Sequence, residues 1–246
     1  MKFTAMTAWV AVSSFLFLSC SGSPPKILNT EWMIVYTYDQ GRGGIYTEMD
    51  FFAQMEDEDG VEDISEISIR RDDQGWAWEL TPDSWVSLTE DGETWIGANG
   101  MTLGGPLPGG DYRLLVIDRS GQREEHLFRV DDPGVAPGVY EFPRAQVQGN
   151  FIRIDAAGHD PVVLWFYNER GELVSEKYRS GGFYSRTELL EAEEEQIVSW
   201  FMIYFQDEER GFGLKSGPYL IREAEPLLED TTLQDQASVS ATSEDS

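Results

Sequence analysis

Short apolar runs alternate with polar, turn-forming segments along most of the chain after residue 26. The runs are rich in aromatic and β-branched residues, which favour the pleated, half-buried surface of a β-sheet. Their short length and their separation by turn residues predict strands of a β-sandwich and not helices. In the first half of the chain, the predicted strands cover residues 32–38, 49–55, 67–69, 76–80, 94–96, 112–117 and 127–130.

A segment without hydrophobic periodicity separates two patterned regions of this kind. It reads DDPGVAPG, spans residues 131–138 and is dense in Pro and Gly, which is typical of a linker between domains. A chain of 246 residues is long enough for two small domains that each bury a core. The pattern therefore predicts an all-β protein with two tandem β-sandwiches, over residues 27–130 and 139–222.

The same hairpin pattern occurs in both regions. In the first region, turns at Gly75 and Gly121 each join two predicted strands, and turns at Gly171 and Gly211 do the same in the second. The similar spacing predicts two copies of one sandwich topology, through either duplication or shared architecture. One interruption is the sequence SRTE from Ser185, which has the form of a capping box and predicts a short helix between two strands.

The end of the first region carries a resemblance to a known fold. A turn at residues 108–110 precedes a strand that opens at Tyr112, and a turn at residues 118–121 returns the chain to a strand that ends at Val130. This arrangement resembles the last two strands of an immunoglobulin-like or fibronectin type III-like sandwich. Tyr112 stands where that fold places a corner tyrosine, whose hydroxyl ties the strand to the preceding loop. The resemblance implies a fold and not a function.

Two strands of the second region, VVLWFY at residues 162–167 and IVSWFMIYF at residues 197–205, are apolar on both faces. In an immunoglobulin-like topology they are the third and sixth strands and lie side by side, so their outward residues would form one patch. Such a patch suits a partner surface or a sugar-stacking platform, and the alternative is that another part of the chain covers it. The predicted core residues are Leu164, Phe166, Phe201, Ile203 and Phe205. The predicted partner-binding residues are Trp165, Tyr167, Trp200, Met202 and Tyr204.

The first residues have the layout of a secretory signal peptide. Lys2 gives a positive start, residues 3–18 carry no charge, and the small residue Ser19 precedes Cys20. The run is shorter than a transmembrane helix requires, and Gly and Pro follow it at once. The sequence LFLSC at residues 16–20 resembles the lipobox of bacterial lipoproteins, in a relaxed form similar to that of spirochaetes. The resemblance implies that residues 1–19 are removed, that Cys20 is acylated and that residues 20–26 form a tether.

The alternative is an ordinary signal peptide with an incidental cysteine. Cys20 is the one cysteine of the chain. A lone thiol exported to an oxidising compartment has no internal partner for a disulfide, which favours lipidation as its role.

The composition is strongly acidic. Asp and Glu number 45 against 18 Lys and Arg, for a formal net charge of −27. Such a chain repels phosphate backbones and anionic lipid head groups, which argues against nucleic acid as a partner and leaves acyl chains on Cys20 as the membrane attachment. Residues 223–246 are rich in Glu, Asp, Ser and Thr and have little to bury, so we expect a disordered acidic tail.

One acidic segment partly resembles the calcium loop of an EF-hand. With Gly60 of MEDEDGVEDISE (residues 55–66) at the sixth place, acidic residues fall at the third, fifth, ninth and twelfth places, where calcium ligands lie. Met55 occupies the first place, and predicted strands flank the segment where helices belong. The alternative is therefore a hydrophilic loop between two strands. The candidate calcium ligands are Asp57, Asp59 and Asp63, and no other cofactor is indicated.

The chain lacks nucleophile-elbow and His-Glu-x-x-His patterns, so the sequence does not predict an enzyme. We expect a lipid-anchored cell-envelope protein, on the periplasmic or surface face of a bacterial membrane, that acts as a non-catalytic binding or structural module for a protein or glycan partner. The alternative is an envelope polysaccharide hydrolase with a carboxylate acid/base pair, because 45 acidic residues leave many pairs open.

Overall fold

The computed structural model describes residues 22–103, 105–131 and 137–221. The chain divides into two units: unit 1 contains residues up to Met33 together with Met49–Asp132, and unit 2 contains Ile34–Glu48 together with the residues from Pro133 onward. The predicted signal peptide (1–19), Cys20, most of the predicted linker (131–138) and the predicted acidic tail (223–246) lie outside the described residues.

Unit 1 is built from strands in two sheets. Its strands are β1 (Lys26–Asp39), β2 (Gly44–Glu56), β3 (Ile64–Arg71), β4 (Trp76–Leu80), β5 (Val86–Glu90), β6 (Glu93–Met101), β7 (Gly110–Asp118) and β8 (Arg123–Val130). One sheet has the order β1-β2-β6-β5 and the other the order β4-β3-β7-β8. A short 3₁₀ helix, Val61–Asp63, precedes β3. Only the part of β1 up to Met33 and the part of β2 from Met49 belong to unit 1.

The strand order of unit 1 is that of an immunoglobulin-like sandwich. With β1 to β8 taken as strands A, B, C, C′, D, E, F and G of that fold, one sheet is A-B-E-D and the other is C′-C-F-G. Tyr112 is buried near the start of strand F, and its hydroxyl donates a hydrogen bond of 2.8 Å to the carbonyl oxygen of Pro108. The immunoglobulin-like fold and the corner tyrosine predicted for the first region are confirmed.

Aromatic rings fill the space between the two sheets of unit 1. The ring of Phe51 in β2 lies 5.0 Å from the ring of Phe128 in the other sheet, and Tyr112 stacks on Phe128 at 5.7 Å. Trp78 stacks on Tyr112 at 6.4 Å, and its Nε1 donates to the carbonyl oxygen of Thr102. The row of rings therefore joins the two sheets through apolar burial and aromatic contact.

Unit 2 also has strands in two sheets. Its own strands are β9 (Arg144–Gln148), β10 (Phe151–Asp155), β11 (Val162–Tyr167), β12 (Leu173–Arg179), β13 (Gly182–Ser185), β14 (Trp200–Asp207) and β15 (Phe212–Leu220). One sheet has the order β13-β10-β9, and the other contains β12-β11-β14-β15. The helical segments of unit 2 are a 3₁₀ helix (Pro137–Val139), α1 (Arg186–Leu189) and α2 (Ala192–Ile197).

Unit 2 repeats the topology of unit 1. Strands β9, β10 and β13 take the places of A, B and E, and β11, β12, β14 and β15 take those of C, C′, F and G. The turn between C and C′ contains Gly75 in unit 1 and Gly171 in unit 2, with φ values of 69° and 79°. The turn between F and G contains Gly121 and Gly211, with φ values of 85° and 69°. Positive φ values of this size lie in the left-handed region, which favours glycine. The four glycines therefore occupy equivalent hairpin turns in the two units, as predicted.

A hairpin from the N-terminal part of the chain completes the larger sheet of unit 2. The segment of β1 from Ile34 to Asp39 pairs in parallel with β15, with Thr37 opposite Lys215. The Glu48 carboxylate in β2 forms an ion pair with Lys215 and accepts a hydrogen bond of 2.8 Å from the Thr37 hydroxyl. The predicted first domain, a continuous segment over residues 27–130, differs from this division, because Ile34–Glu48 belongs to unit 2.

The elements that the sequence pattern did not predict include a helix and a strand. The predicted helix after Ser185 is present as α1, where Glu188 accepts hydrogen bonds from the Ser185 backbone N–H and hydroxyl, but a second helix, α2, follows it. Strand β5 was not predicted. Its apolar residues Val86 and Leu88 are exposed. The strand therefore lacks the alternation of buried apolar and exposed polar residues from which a strand is predicted.

The core of unit 2 lies between its two sheets and includes the predicted inward residues of β11 and β14. Leu164, Phe166, Phe201 and Ile203 are fully buried, and Phe205 packs against them while partly exposed. Ile152 and Ile154 of β10 meet them from the smaller sheet. Within the described part of the chain, no helix is long and apolar enough to cross a membrane.

Candidate functional site

The outward residues of β11 and β14 form a cluster that we call the aromatic face: Trp165, Tyr167, Trp200, Met202 and Tyr204. In the antiparallel pairing of these strands, Tyr167 lies opposite Trp200 and Trp165 lies opposite Met202. The inward neighbours fill the core, so side-chain alternation puts these five residues together on the outer surface of the larger sheet of unit 2. Trp165, Tyr167 and Trp200 are half-buried.

The rings of the aromatic face stack on one another in two pairs. Tyr167 and Trp200 lie 4.2 Å apart with planes at 13°, and Trp165 and Tyr204 lie 4.5 Å apart with planes at 17°. These separations are close to the spacing of neighbouring strands, so the rings stack across the strands and cover one another's faces. In each pair, the two ring faces that are turned toward each other are therefore closed to a partner.

Glycines in β15 let two members of the aromatic face lie against the sheet. A Cβ at Gly213 would lie 2.7 Å from Cε2 of Tyr204, and a Cβ at Gly217 would lie 2.7 Å from the Met202 sulfur. The side chains of Tyr204 and Met202 therefore occupy space that a larger residue in β15 would fill. This packing leaves Tyr204 only 8% exposed and Met202 only 9% exposed.

The polar groups beside the aromatic face have partners. The indole Nε1 of Trp165 donates to Oε2 of Glu176 at 3.0 Å. Lys215, opposite Tyr204 in β15, is held by Glu48. Burial and the neighbouring Glu48 carboxylate raise the pKa of Tyr46 to about 12, so this phenol stays neutral at physiological pH. The chemistry that the face offers to a partner is therefore mainly apolar and aromatic.

The acidic segment predicted to bind calcium forms a different cluster from the one proposed. Carboxylate oxygens of Asp57 and Asp63 lie with one of Asp118 within 4.8 Å of one another. Asp59 lies outside this group, and its Oδ2 accepts a hydrogen bond from the backbone N–H of Ser23. Sequence reasoning missed Asp118, because β7 brings it to the segment from a distant part of the chain.

Asp57 and Asp118 differ in how their carboxylates are satisfied. The buried Asp118 accepts hydrogen bonds from the Ser120 hydroxyl and from the Gln122 backbone N–H, so it has a structural role in the turn between β7 and β8. Oδ2 of Asp57 is buried and makes no hydrogen bond. Burial raises the pKa of Asp57, and the charges of Asp59, Asp63 and Asp118 act in the same direction, against the hydrogen bond that the Asp59 N–H donates to Asp57.

Comparison with known proteins gives no family for the chain. No protein-family model and no curated protein matches it. Among solved structures, dimeric latent PorU from Porphyromonas gingivalis is 16% identical with a TM-score of 0.31, over 85% of this chain and 21% of PorU. The chain thus spans about a fifth of the length of PorU.

Two tandem immunoglobulin-domain structures also match. A tandem from titin is 11% identical with a TM-score of 0.25, over 80% of this chain and 98% of the titin chain. The first two immunoglobulin domains of DIP-gamma are 13% identical with a TM-score of 0.24, over 82% of this chain and 99% of that one. Scores this low support no argument, so the immunoglobulin-like assignment rests on the strand order of each unit.

We predict that Gly213→Ala destabilises the protein by about 1–3 kcal/mol, because the new methyl group forces Tyr204 away from β15 and out of its stack with Trp165. Urea unfolding measures the stability, and near-ultraviolet circular dichroism reports the ring stack. Gly44→Ala is the matched control, because a Cβ at Gly44, also in a strand of unit 2, meets nothing within 4 Å. Equal stability of the two variants would contradict the packing described.

We predict that Asp57→Asn raises the melting temperature at pH 7 in the absence of divalent ions. The raised pKa of Asp57 means that its ionised form is disfavoured in the folded state. The wild type therefore gains stability as the pH falls through the folded-state pKa of Asp57, and the advantage of the variant shrinks there. Differential scanning calorimetry at pH 7 and at progressively lower pH measures both effects.

The same variant tests the calcium prediction. A cation held by Asp57, Asp63 and Asp118 binds only the folded state and so raises the melting temperature of the wild type, and Asp57→Asn reduces that increase. Asp83→Asn, at an exposed position away from the cluster, is the control for a general charge effect. A melting temperature that neither calcium nor a chelator changes would rule out this cation site.

Proposed function

We propose that the chain is a non-catalytic binding module of a bacterial cell envelope, held by acyl chains on Cys20, and that the aromatic face of unit 2 binds a protein partner. The observation that supports this most directly is the pair of ring stacks on the outer surface of a sheet, where half-buried Trp and Tyr stay partly accessible. Trp and Tyr are enriched at the centres of protein interfaces, where they carry much of the binding energy.

The ring geometry favours a protein over a sugar at this face. Stacking on a sugar needs open ring faces, and the stack of Tyr167 on Trp200 at 4.2 Å closes one face of each ring. The half-buried Trp165, Tyr167 and Trp200 instead suit an irregular apolar surface of a protein, against which aromatic side chains pack well. The stacks are also pre-ordered, which lowers the entropy lost on binding.

The anchor is supported by the sequence before residue 26. The uncharged run, the small residue before Cys20 and the absence of a second cysteine favour acylation. One acyl chain gives only reversible membrane binding, and a chain with a net charge of −27 has no excess of basic residues to help. More than one acyl chain is therefore part of the proposal.

A photocrosslinking amino acid at Leu220 tests the protein partner. Leu220 is exposed and lies opposite Trp200 in β15, so a crosslinker there borders the aromatic face without replacing a stacked ring. We expect irradiation of intact cells to give a discrete protein adduct. The adduct disappears when Trp200 and Tyr167 are both changed to Ser, and mass spectrometry identifies its second chain.

The control places the same crosslinker at Leu127 of β8, which is similarly exposed but lies in unit 1. An adduct that forms equally from both positions, or that survives loss of Trp200 and Tyr167, would contradict binding through this face. Circular dichroism of the double variant checks that unit 2 remains folded.

Mass spectrometry of the N-terminal peptide tests the anchor. We expect the peptide to begin at Cys20 and to carry the added mass of acyl chains, and we expect Cys20→Ser to move the protein from the membrane to the soluble fraction. A free, unacylated Cys20 thiol in the mature protein would contradict the proposal. Ser21→Ala is a control substitution that leaves the cysteine in place.

A further inference from the structure

The smaller sheet of unit 2 has an outer surface of a different kind, which we call the phenylalanine face: Gln146, Gln148, Phe151, Arg153 and Phe183. In the pairing of β9, β10 and β13, Arg153 lies between Gln146 and Phe183, and Phe151 lies opposite Gln148. The five side chains line a shallow groove of about 160 Å³. All of them come from unit 2, on the sheet across the core from the aromatic face.

The phenylalanine rings are unusually open. Phe151 is 58% exposed and Phe183 is 70% exposed, although two large apolar side chains on one sheet surface would normally be covered. No ring stack covers either of them among the described residues. Among the described residues, the one cation near these rings is Arg153, whose guanidinium lies 5.5 Å from the centre of the Phe183 ring. More than half of the surface of each phenylalanine is therefore open to a ligand, whereas the rings of the aromatic face are at least half-buried.

The polar side chains of the groove are available to bind a ligand. Within the described residues, the side chains of Gln146, Gln148 and Arg153 make no hydrogen bond or ion pair. Two amides supply paired donors and acceptors, and the guanidinium supplies a planar set of donors that matches a carboxylate. The cation–π contact with Phe183 holds the Arg153 guanidinium at the groove.

Charge narrows the choice of ligand. The chain has a net charge of −27, yet this groove carries Arg153 and no acidic side chain. The nearest acidic residue along β10, Asp155, lies outside the groove, where its carboxylate accepts a hydrogen bond from the Ala157 backbone N–H. The groove is therefore a local cationic site on an acidic protein, which complements a single negative charge better than an extended polyanion.

We propose that the phenylalanine face binds a glycan through a sugar that bears a carboxylate, such as a hexuronic acid. The apolar face of the sugar ring packs on Phe183 and Phe151, the amides of Gln146 and Gln148 bond its hydroxyl groups, and Arg153 pairs with its carboxylate. Open aromatic faces, free amides and one guanidinium are the three kinds of group that this ligand requires. The site is independent of the protein partner proposed for the aromatic face.

Isothermal titration calorimetry with a tetrasaccharide of one hexuronic acid residue and three neutral sugars tests the proposal. The titration uses the full chain in a detergent without sugar head groups. The same tetramer with its carboxylate reduced to an alcohol is the neutral comparison. We expect the acidic tetramer to bind more tightly than the neutral one. Phe183→Ala weakens both about tenfold or more, as loss of a central aromatic contact does. Arg153→Gln removes the preference for the acidic tetramer.

Two controls separate this site from a general effect. Leu127→Ala removes an apolar side chain of similar exposure from unit 1 and leaves binding unchanged, and Phe183→Tyr keeps a ring face and retains binding. Because Phe183 is exposed, its variants keep the fold, which urea unfolding verifies. Absence of binding by the wild type, equal affinity for the two tetramers, or binding that Phe183→Ala does not weaken would each overturn the proposal.

Discussion

An ion pair with a buried carboxylate determines how the larger sheet of unit 2 is assembled. Lys215 of β15 pairs with Glu48 of β2, and Thr37 of β1 bonds the same carboxylate from the strand between them. Removing two charges from water is costly unless each finds its partner. The three residues can meet only if β1 lies beside β15 in the observed register, since a slip of one residue would turn Thr37 to the opposite surface. The pair therefore fixes the place of the hairpin from residue 34 to residue 48 in unit 2.

The aromatic face depends on the same register of β15. The outward positions of this strand are Gly213, Lys215 and Gly217, so the lysine reaches Glu48 while the glycines on either side leave room for Tyr204 and Met202. A sequence of closely spaced glycines is thus explained by side-chain packing across a sheet. Tyr204 lies flat enough to stack on Trp165 because Gly213 leaves room for its ring.

The sequence predicts best what depends on neighbouring residues. Alternation along VVLWFY places Leu164 and Phe166 in the core and Trp165 on the surface, and Tyr112 is recognised from the turn before it. Contacts between distant segments leave no such pattern. Asp118 comes close to Asp57 through the pairing of β7 with β3. The boundary between the units falls inside β1 and β2, where the sequence pattern shows no break, so it does not reveal that Ile34–Glu48 belongs to unit 2. The openness of Phe183 was missed because an edge strand as short as β13 has no periodicity to interpret.

The two outer surfaces of unit 2 show how one fold presents aromatic rings in two ways. Strands β11 and β14 are central and carry large side chains opposite each other, so their rings stack and each covers one face of its partner. In the smaller sheet, Phe183 lies on an edge strand and its cross-strand partner is Arg153, which contacts the ring without enclosing it. This difference in ring packing is the reason that we propose different ligands, a protein and an acidic sugar, for the two surfaces. Because the core separates the two surfaces, an exposed side chain on one can be replaced without a contact being lost on the other, so the two proposed binding activities can be tested separately.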